Sequence, residues 1–158
     1  MSDTFDDVRD LYQEVILDHG RRPRYGRRLA AFDATAKGDN PMCGDRVQVF
    51  VRYGTDGRVI EIGFEARGCA ISIASADLMS EVVRGRSRNE VRTMFERFRE
   101  MARTGRCSVC DGVIEGGATE RLEPLAGVHE YPSRVKCATL PWHALIAAVG
   151  ARGEATSE

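Results

Sequence analysis

The hydrophobic pattern near the N-terminus is that of one amphipathic helix. Its apolar positions recur every three or four residues and share one face: Val8, Leu11, Tyr12, Val15 and Ile16. Gly20 and Pro23 are residue types that commonly end a helix. We therefore predict a helix that ends near Gly20 and packs on the body of the protein. His19, just before that end, is interpreted as a favourable cation at a helix C-terminus and not as a ligand.

The middle of the chain alternates between apolar and polar positions in two runs. Apolar side chains stand at every second position of each run: Val47, Val49, Val51 and Tyr53 in the first, and Ile60, Ile62, Phe64 and Ala66 in the second. Residues 54–57 contain two glycines and form a turn by composition. This pattern predicts an antiparallel hairpin with one face on the core, preceded by a short strand over residues 32–37.

Helical spacing returns after the hairpin. Residues 70–83 are rich in small side chains and carry apolar residues at core spacing, which predicts a second helix. Ser87 and Glu90 have the spacing of a capping box, and an apolar stripe of Met and Phe follows them, so a third helix is predicted there. One short helical turn is expected before Gly127, and a last helix from Pro132 or Ser133.

Four candidate metal ligands stand out against this pattern. Cys43 and Asp45 flank Gly44, which permits a tight turn and lets a thiolate and a carboxylate point at one centre. Sulfur and oxygen together form a mixed ligand pair that suits Zn²⁺. An isolated Cys-Gly-Asp is more typical of a turn with a buried thiol, but Cys69 and Cys137 lie in similar settings and complete a set of four.

The predicted hairpin explains how three of these ligands can meet. Cys43 and Asp45 enter its first strand, and Cys69 leaves its second. Antiparallel strands of similar length return the chain to the same end of a sheet, so these residues should lie close together. Cys69 also directly precedes the helix predicted over 70–83, whose positive end favours a thiolate.

A second pair of cysteines, Cys107 and Cys110, lies in a glycine-rich stretch. A Cys-x-x-Cys pair can be half of a zinc knuckle or a redox pair. A knuckle needs a further cysteine or histidine pair, and His129 and His143 are not spaced as one. We interpret Cys107 and Cys110 as loop thiols or an accessory disulfide outside the main site.

Length and charge narrow the classes of function. The chain has 158 residues, which fits one domain over 1–150 followed by a disordered tail over 151–158. A formal net charge of −1 gives little support to nucleic-acid binding, although residues 21–28 contain five arginines. No apolar run is long enough to cross a membrane. Without a secretory hydrophobic segment, we expect a cytoplasmic protein, where five cysteines indicate metal or sulfur chemistry.

Four sequence segments together resemble one known family. They are Leu-Tyr-Gln-Glu-Val-Ile-Leu-Asp-His at 11–19, Asn-Pro-Met-Cys-Gly-Asp at 40–45, Gly-Cys-Ala-Ile-Ser-Ile-Ala-Ser-Ala at 68–76 and Arg-Val-Lys-Cys-Ala-Thr-Leu at 134–140. In this order, and with these neighbours, they are similar to the motifs of the SufU branch of the IscU-like iron–sulfur cluster assembly proteins. The resemblance runs over residues 11–149, nearly the whole chain.

The resemblance implies a fold, a ligand set and a partner. The fold would be α+β, with a small antiparallel sheet of about three strands packed against several helices. Zinc would be held by Cys43, Asp45, Cys69 and Cys137. A pyridoxal-phosphate cysteine desulfurase of the SufS type would pass persulfide sulfur to Cys43, while a partner histidine replaces that thiolate on zinc. Downstream iron–sulfur assembly or acceptor proteins would then take the sulfur.

Two departures from the family pattern bear on this expectation. The IscU branch carries a histidine immediately before its last cysteine, where this chain has Lys136, and that favours the zinc-dependent relay. Pro141 replaces a better helix former and removes the hydrogen bond to the carbonyl of Cys137, so we expect a kink or a restart of the last helix. Arg134, one turn before Cys137, either screens charge at the site or is a surface arginine.

Two alternatives stay open at the level of sequence. The same four ligands can hold a nascent, transient iron–sulfur cluster, which would make the protein an assembly scaffold. The chain can also be a zinc-stabilised interaction module without transfer chemistry. Zinc removal distinguishes the interaction module from the relay. The observation needed is whether it unfolds the chain or only stops sulfur transfer.

Overall fold

Helices and strands follow one another in an α+β order in the computed structural model, which describes residues 4–40, 44–105, 121–150 and 154–156. The elements are α1 (Thr4–Arg21), β1 (Ala34–Asn40), β2 (Asp45–Tyr53), β3 (Val59–Arg67), α2 (Ala70–Val83), α3 (Arg88–Thr104), a 3₁₀ helix (Glu123–Glu130), α4 (Pro132–Val149) and β4 (Glu154–Thr156). The predicted helices and the predicted hairpin are confirmed. The strand expected over 32–37 is also present, shifted to Ala34–Asn40.

The strands form one sheet in the order β3-β2-β1-β4. β1, β2 and β3 are antiparallel neighbours, which confirms the predicted three-stranded antiparallel sheet. β4 adds a short parallel strand beside β1. The sequence predicted no regular structure in 151–158, and Glu154–Thr156 differs because the edge of β1 offers unpaired backbone groups to the returning chain.

The core lies between one face of the sheet and the helices. Val47, Val49 and Val51 alternate along β2 on that face and are almost completely buried. α4 packs on β1 and β2, and α2 packs on β3 and on α4. Phe98 of α3 stacks on the fully buried Trp142 of α4 with ring centroids 5.0 Å apart. This packing fixes α2 and α4 side by side across the sheet, and each carries one of the candidate ligands.

Two sequence features of the later helices can be checked directly. The capping box that begins α3 is present, with Ser87 accepting from the backbone N–H of Glu90 and Glu90 accepting from that of Ser87. These bonds, with the side chains of Arg86 and Arg58, lower the pKa of Glu90.

α4 continues as one helix through the buried Pro141, so it does not restart there. Within the ranges described above, no helix is both long and apolar enough to span a membrane.

Candidate metal centre

The end of β1, the start of β2 and the end of β3 meet at the candidate site. Asn40 and Asp45 are Cα partners in the last pair of the β1–β2 ladder. Gly44, which directly precedes β2, has φ of 72° and donates its N–H to the carbonyl of Asn40 at 2.8 Å. Cys69 lies two residues after the end of β3 and is the N-cap residue of α2. The hairpin geometry predicted from sequence thus brings Asp45 and Cys69 to one end of the sheet.

Cys137 reaches this end of the sheet from α4. It lies in the second turn of that helix, is fully buried, and its Sγ is 3.6 Å from the carbonyl oxygen of Ser133. The amide Nδ2 of Asn40, itself only 1% exposed, lies 4.0 Å from the same sulfur. Ser75 of α2 donates to the carbonyl of Ala138 at 2.5 Å, a bond between helices beside Cys137. Contacts with β1 and α2 therefore hold the Cys137 thiol in place.

Asp45, Cys69 and Cys137 form a compact group of potential metal ligands. One ligand atom from each lies within 4.8 Å of the others. Tetrahedral zinc with Zn–S bonds of about 2.3 Å separates its sulfur ligands by about 3.8 Å. The three atoms therefore need only small side-chain movements to bind one ion. Two thiols and a carboxylate, with Asp45 and Cys137 buried, are also the donor chemistry that zinc takes.

The carboxylate of Asp45 is oriented by the start of α2. Its Oδ1 accepts the backbone N–H of Cys69 at 2.9 Å, while its Oδ2 lies 3.9 Å from the Cys69 sulfur. Gly68 makes this approach possible, because a Cβ there would lie 2.0 Å from Asp45 Oδ1. Gly68 also has φ of 138°, which L side chains rarely adopt. The glycine before Cys69 is thus required by the close approach of a ligand carboxylate.

Arg134 supplies positive charge at the two thiols. Its hydrogen bond to Cys137 and the charges of Cys69 and Cys137 raise its pKa above the usual value for arginine. Of the two alternatives left by the sequence, screening of the site is therefore the one that the structure supports. A cation at this position stabilises the thiolate forms that bind metal or attack sulfur.

The remaining candidates from the sequence lie elsewhere or outside the described residues. Cys43, Cys107 and Cys110 belong to the stretches 41–43 and 106–120, which the structure does not describe, so their predicted roles stay predictions. His19 lies in the last turn of α1, as predicted, and no atom of it enters the Asp45, Cys69 and Cys137 group.

The sequence did not foresee the partner of His19. Its Nδ1 lies 2.5 Å from Oδ2 of Asp77, a fully buried carboxylate of α2. Oδ1 of Asp77 accepts the backbone N–H groups of Arg24 and Tyr25, both at 2.8 Å. An aspartate among the small residues of α2 was the available signal for such an anchor. Asn40 was likewise missed, although a polar residue that ends a strand before proline points to a special position.

Comparisons with known proteins agree with this architecture. The family described as the NifU-like N terminal domain matches residues 11–138. An iron–sulfur cluster assembly scaffold protein IscU of Streptococcus pyogenes is 36% identical over 142 residues, 88% of this chain and 82% of its own. A zinc-dependent sulfurtransferase SufU of Bacillus subtilis is 35% identical over 136 residues, 85% of this chain and 86% of its own. The crystal structure of a SufU from Fervidobacterium islandicum has a TM-score of 0.74 at 27% identity, and the match covers 86% of this chain and 94% of that one.

Proposed function

Because the chain belongs to the NifU-like N-terminal domain family of iron–sulfur cluster assembly proteins, which includes IscU and SufU, we propose that it is a zinc-dependent sulfurtransferase. It would accept persulfide sulfur from a pyridoxal-phosphate cysteine desulfurase of the SufS type and pass it to iron–sulfur assembly or acceptor proteins. The work would take place in the cytoplasm, where thiols remain reduced.

One observation carries this proposal. Asp45, Cys69 and Cys137 come from three separate segments, and their ligand atoms converge to within 4.8 Å at one end of the sheet. In the sequence, Cys43 lies between Asn40, the last residue of β1, and Gly44, which precedes β2 at that same end. Cys43 is therefore proposed as the fourth ligand from its place in the sequence, and the other three from their geometry.

Zinc would hold the thiols in their deprotonated form and so lower the cost of burying them together. In this chain, Asn40 would donate to the Cys137 sulfur, and the backbone N–H of Cys69 would fix one oxygen of Asp45. Arg134 would offset part of the negative charge of the thiolates. Each of these groups would hold one of the other ligands in place, and Cys43 is proposed as the residue that reacts.

The proposed transfer is a thiol exchange without net oxidation. The Cys43 thiolate attacks the terminal sulfur of the desulfurase persulfide, and a new sulfur–sulfur bond forms as the old one breaks. The electron pair of the broken bond leaves with the desulfurase cysteine, which departs as a thiolate. Cys43 is preferred over Cys69 and Cys137 because those two are tied to helices, whereas a loop residue moves at less conformational cost.

The second candidate function is a scaffold for a nascent iron–sulfur cluster on the same residues. The name of the Streptococcus pyogenes relative favours it, since that protein is called a scaffold. Three cysteines and an aspartate can ligate iron as well as zinc. Lys136, where the IscU branch has a histidine, is the residue that turns the preference towards zinc, because a charged lysine donates no lone pair to a metal.

The deciding experiment locates the transferred sulfur. The purified, untagged protein is incubated with a cysteine desulfurase and cysteine without reductant, and thiol alkylation with peptide mass spectrometry finds the extra sulfur atom. We expect it on Cys43, and no transfer in a Cys43→Ala variant. Extra sulfur mainly on Cys69, Cys137 or the Cys107 and Cys110 pair would contradict the mechanism.

Metal analysis of the same preparation separates the two functions. About one zinc per chain and a visible spectrum without charge-transfer bands are expected for the relay. A coloured protein with iron and sulfide in place of zinc would favour the scaffold. Serine at both Cys107 and Cys110 is the matched control, and this double variant should keep its zinc and its sulfur transfer.

A further inference from the structure

Positively charged residues stand next to the ligands of the candidate metal centre in the sequence. Arg46 follows Asp45, Arg67 lies two residues before Cys69, and Arg134 and Lys136 lie three residues and one residue before Cys137. We call these four residues the cationic rim. The whole chain has a net charge of −1, so the positive charge of the rim does not reflect the chain as a whole.

Two members of the rim lie opposite each other on adjacent strands. Arg46 of β2 and Arg67 of β3 are Cα partners, and both side chains are exposed. Like charges directly opposite each other on neighbouring strands are destabilising. Arg46 is offset only by an exposed contact with Asp39 at 3.3 Å, and Arg67 makes no ion pair within the ranges that the structure describes. In the part of the chain that the structure describes, no further ion pair offsets the repulsion between Arg46 and Arg67.

The ligands of the site do not use these two arginines either. Arg134 is the rim residue whose side chain interacts with the Cys137 and Cys69 thiols. Arg46 points away from the core, because it alternates along β2 with the buried Asp45 and Val47. Its side chain is 77% exposed. The charge of Arg46 and Arg67 therefore lies at the surface of the sheet face turned away from the core, at the end of the sheet where the ligands converge.

We propose that the cationic rim is the docking surface for an acidic segment of the protein that delivers sulfur to this site. Negative side chains of the partner would offset the repulsion between Arg46 and Arg67 on binding. They would also steer the partner towards the end of the sheet where the ligands converge. This proposal rests on the proposed function, because it takes the sulfur donor to be the protein that approaches the site.

The test compares two double charge reversals with equal change in net charge. Arg46→Glu with Arg67→Glu changes the rim, and Arg92→Glu with Arg103→Glu changes two exposed residues of α3. The first turn of α3 lies at the opposite end of β3, where Glu90 contacts Arg58. The dissociation constant for a purified cysteine desulfurase is measured as a function of salt. We expect at least about 10-fold weaker binding and a shallower salt dependence for the rim variant only.

Zinc content and thermal unfolding show whether each variant is folded. If the rim reversal does not fold, Arg46→Gln with Arg67→Gln removes the charge without reversing it, and a smaller weakening with the same loss of salt dependence is expected. Unchanged affinity and salt dependence in a folded rim variant would overturn the proposal. Tight binding of single-stranded RNA that the rim variant loses, with desulfurase binding unaffected, would overturn it in favour of a nucleic-acid surface.

Sulfur loading of Cys43 at saturating desulfurase separates this proposal from the proposed function. Weaker binding by the rim variant, with no sulfur on Cys43 in the parent protein, would mean that the surface is correct and the relay is wrong. Normal loading of Cys43 with unchanged binding by the rim variant would mean the reverse.

Discussion

Two buried aspartates show the difference between a carboxylate that supports the fold and one that is available to a cation. Asp77 is fully buried in α2, and Asp45 at the start of β2 is 1% exposed. Asp77 uses both oxygens on protein donors, accepting from His19 on one and from two backbone N–H groups on the other. Every strong interaction that a buried carboxylate needs is therefore supplied by the fold.

Within the described part of the chain, only one of the two carboxylate oxygens of Asp45 accepts a strong hydrogen bond. Its Oδ1 accepts one backbone N–H from Cys69, and its Oδ2 lies near the Cys69 sulfur instead of a strong donor. The Cys69 and Cys137 thiols lie beside it, and neither thiol brings a positive charge. A buried carboxylate oxygen whose partner is only a weak thiol donor can bind a metal ion in place of that donor. The comparison therefore favours a role in stability for Asp77 and supports the proposed metal-binding role of Asp45.

The largest expected effect is on zinc affinity, through Asp45→Asn. The amide keeps the size of the side chain but loses the charge, so we expect more than about 100-fold weaker zinc binding. This exceeds the loss of affinity that usually follows a change in a residue that only hydrogen-bonds to a metal ligand. Competition with a coloured chelator measures it, and Cys69→Ser or Cys137→Ser should lose zinc similarly. The matched control is Asp77→Asn, which should retain about one zinc per chain. Full zinc affinity in the Asp45 variant would remove this residue from the ligand set.

The second effect is on folding, through Asp77→Ala. The change leaves His19 and two backbone N–H groups without their acceptor, and we expect the free energy of unfolding to fall by about 3 kcal/mol. Denaturant unfolding of the zinc-loaded protein measures the loss. Any molecules that stay folded should bind zinc normally. If zinc affinity falls while the free energy of unfolding is unchanged, the division of roles between the two aspartates is wrong.

A third effect concerns the glycine that lets Asp45 approach α2. In Gly68→Ala, the new Cβ would clash with Asp45 Oδ1 and the backbone would keep a φ that alanine avoids. We expect about 1–3 kcal/mol of destabilisation together with weaker zinc binding. Gly57→Ala is the control, because Gly57 also has positive φ but a Cβ there would meet nothing within 4 Å. A zinc affinity that falls equally in both variants would show that the clash with Asp45 is unimportant.

The smallest effect is a pH dependence of stability away from both aspartates. Burial lowers the pKa of His143, which packs edge-on against Phe95 of α3, below its usual value of 6.5. The unfolded chain therefore takes up the proton first, so stability should fall as the pH drops from about 7 through 6.5. His143→Gln should flatten this slope in denaturant unfolding measured between pH 5 and 8. An unchanged slope would place the dependence on other groups.

Most of the fold could be predicted because it is encoded in local periodicity. The alternation of Val47, Val49 and Val51 specifies a half-buried strand, and the pair Ser87 and Glu90 specifies the start of α3. Asp45 and Cys69 could be placed together because the two strands of a hairpin return to one end. These features depend on neighbours within a few residues, which a sequence displays directly.

What the sequence alone determined is the set of elements and the residues that can bind a metal. The tertiary structure decided which groups complete those residues. The contact of Asn40 with Cys137 spans 97 positions, and that of His19 with Asp77 spans 58. β4 beside β1 and the opposed Arg46 and Arg67 also depend on strand register. Periodicity reports which face of an element is buried, but the partner of a buried polar group is set only when separate elements pack together.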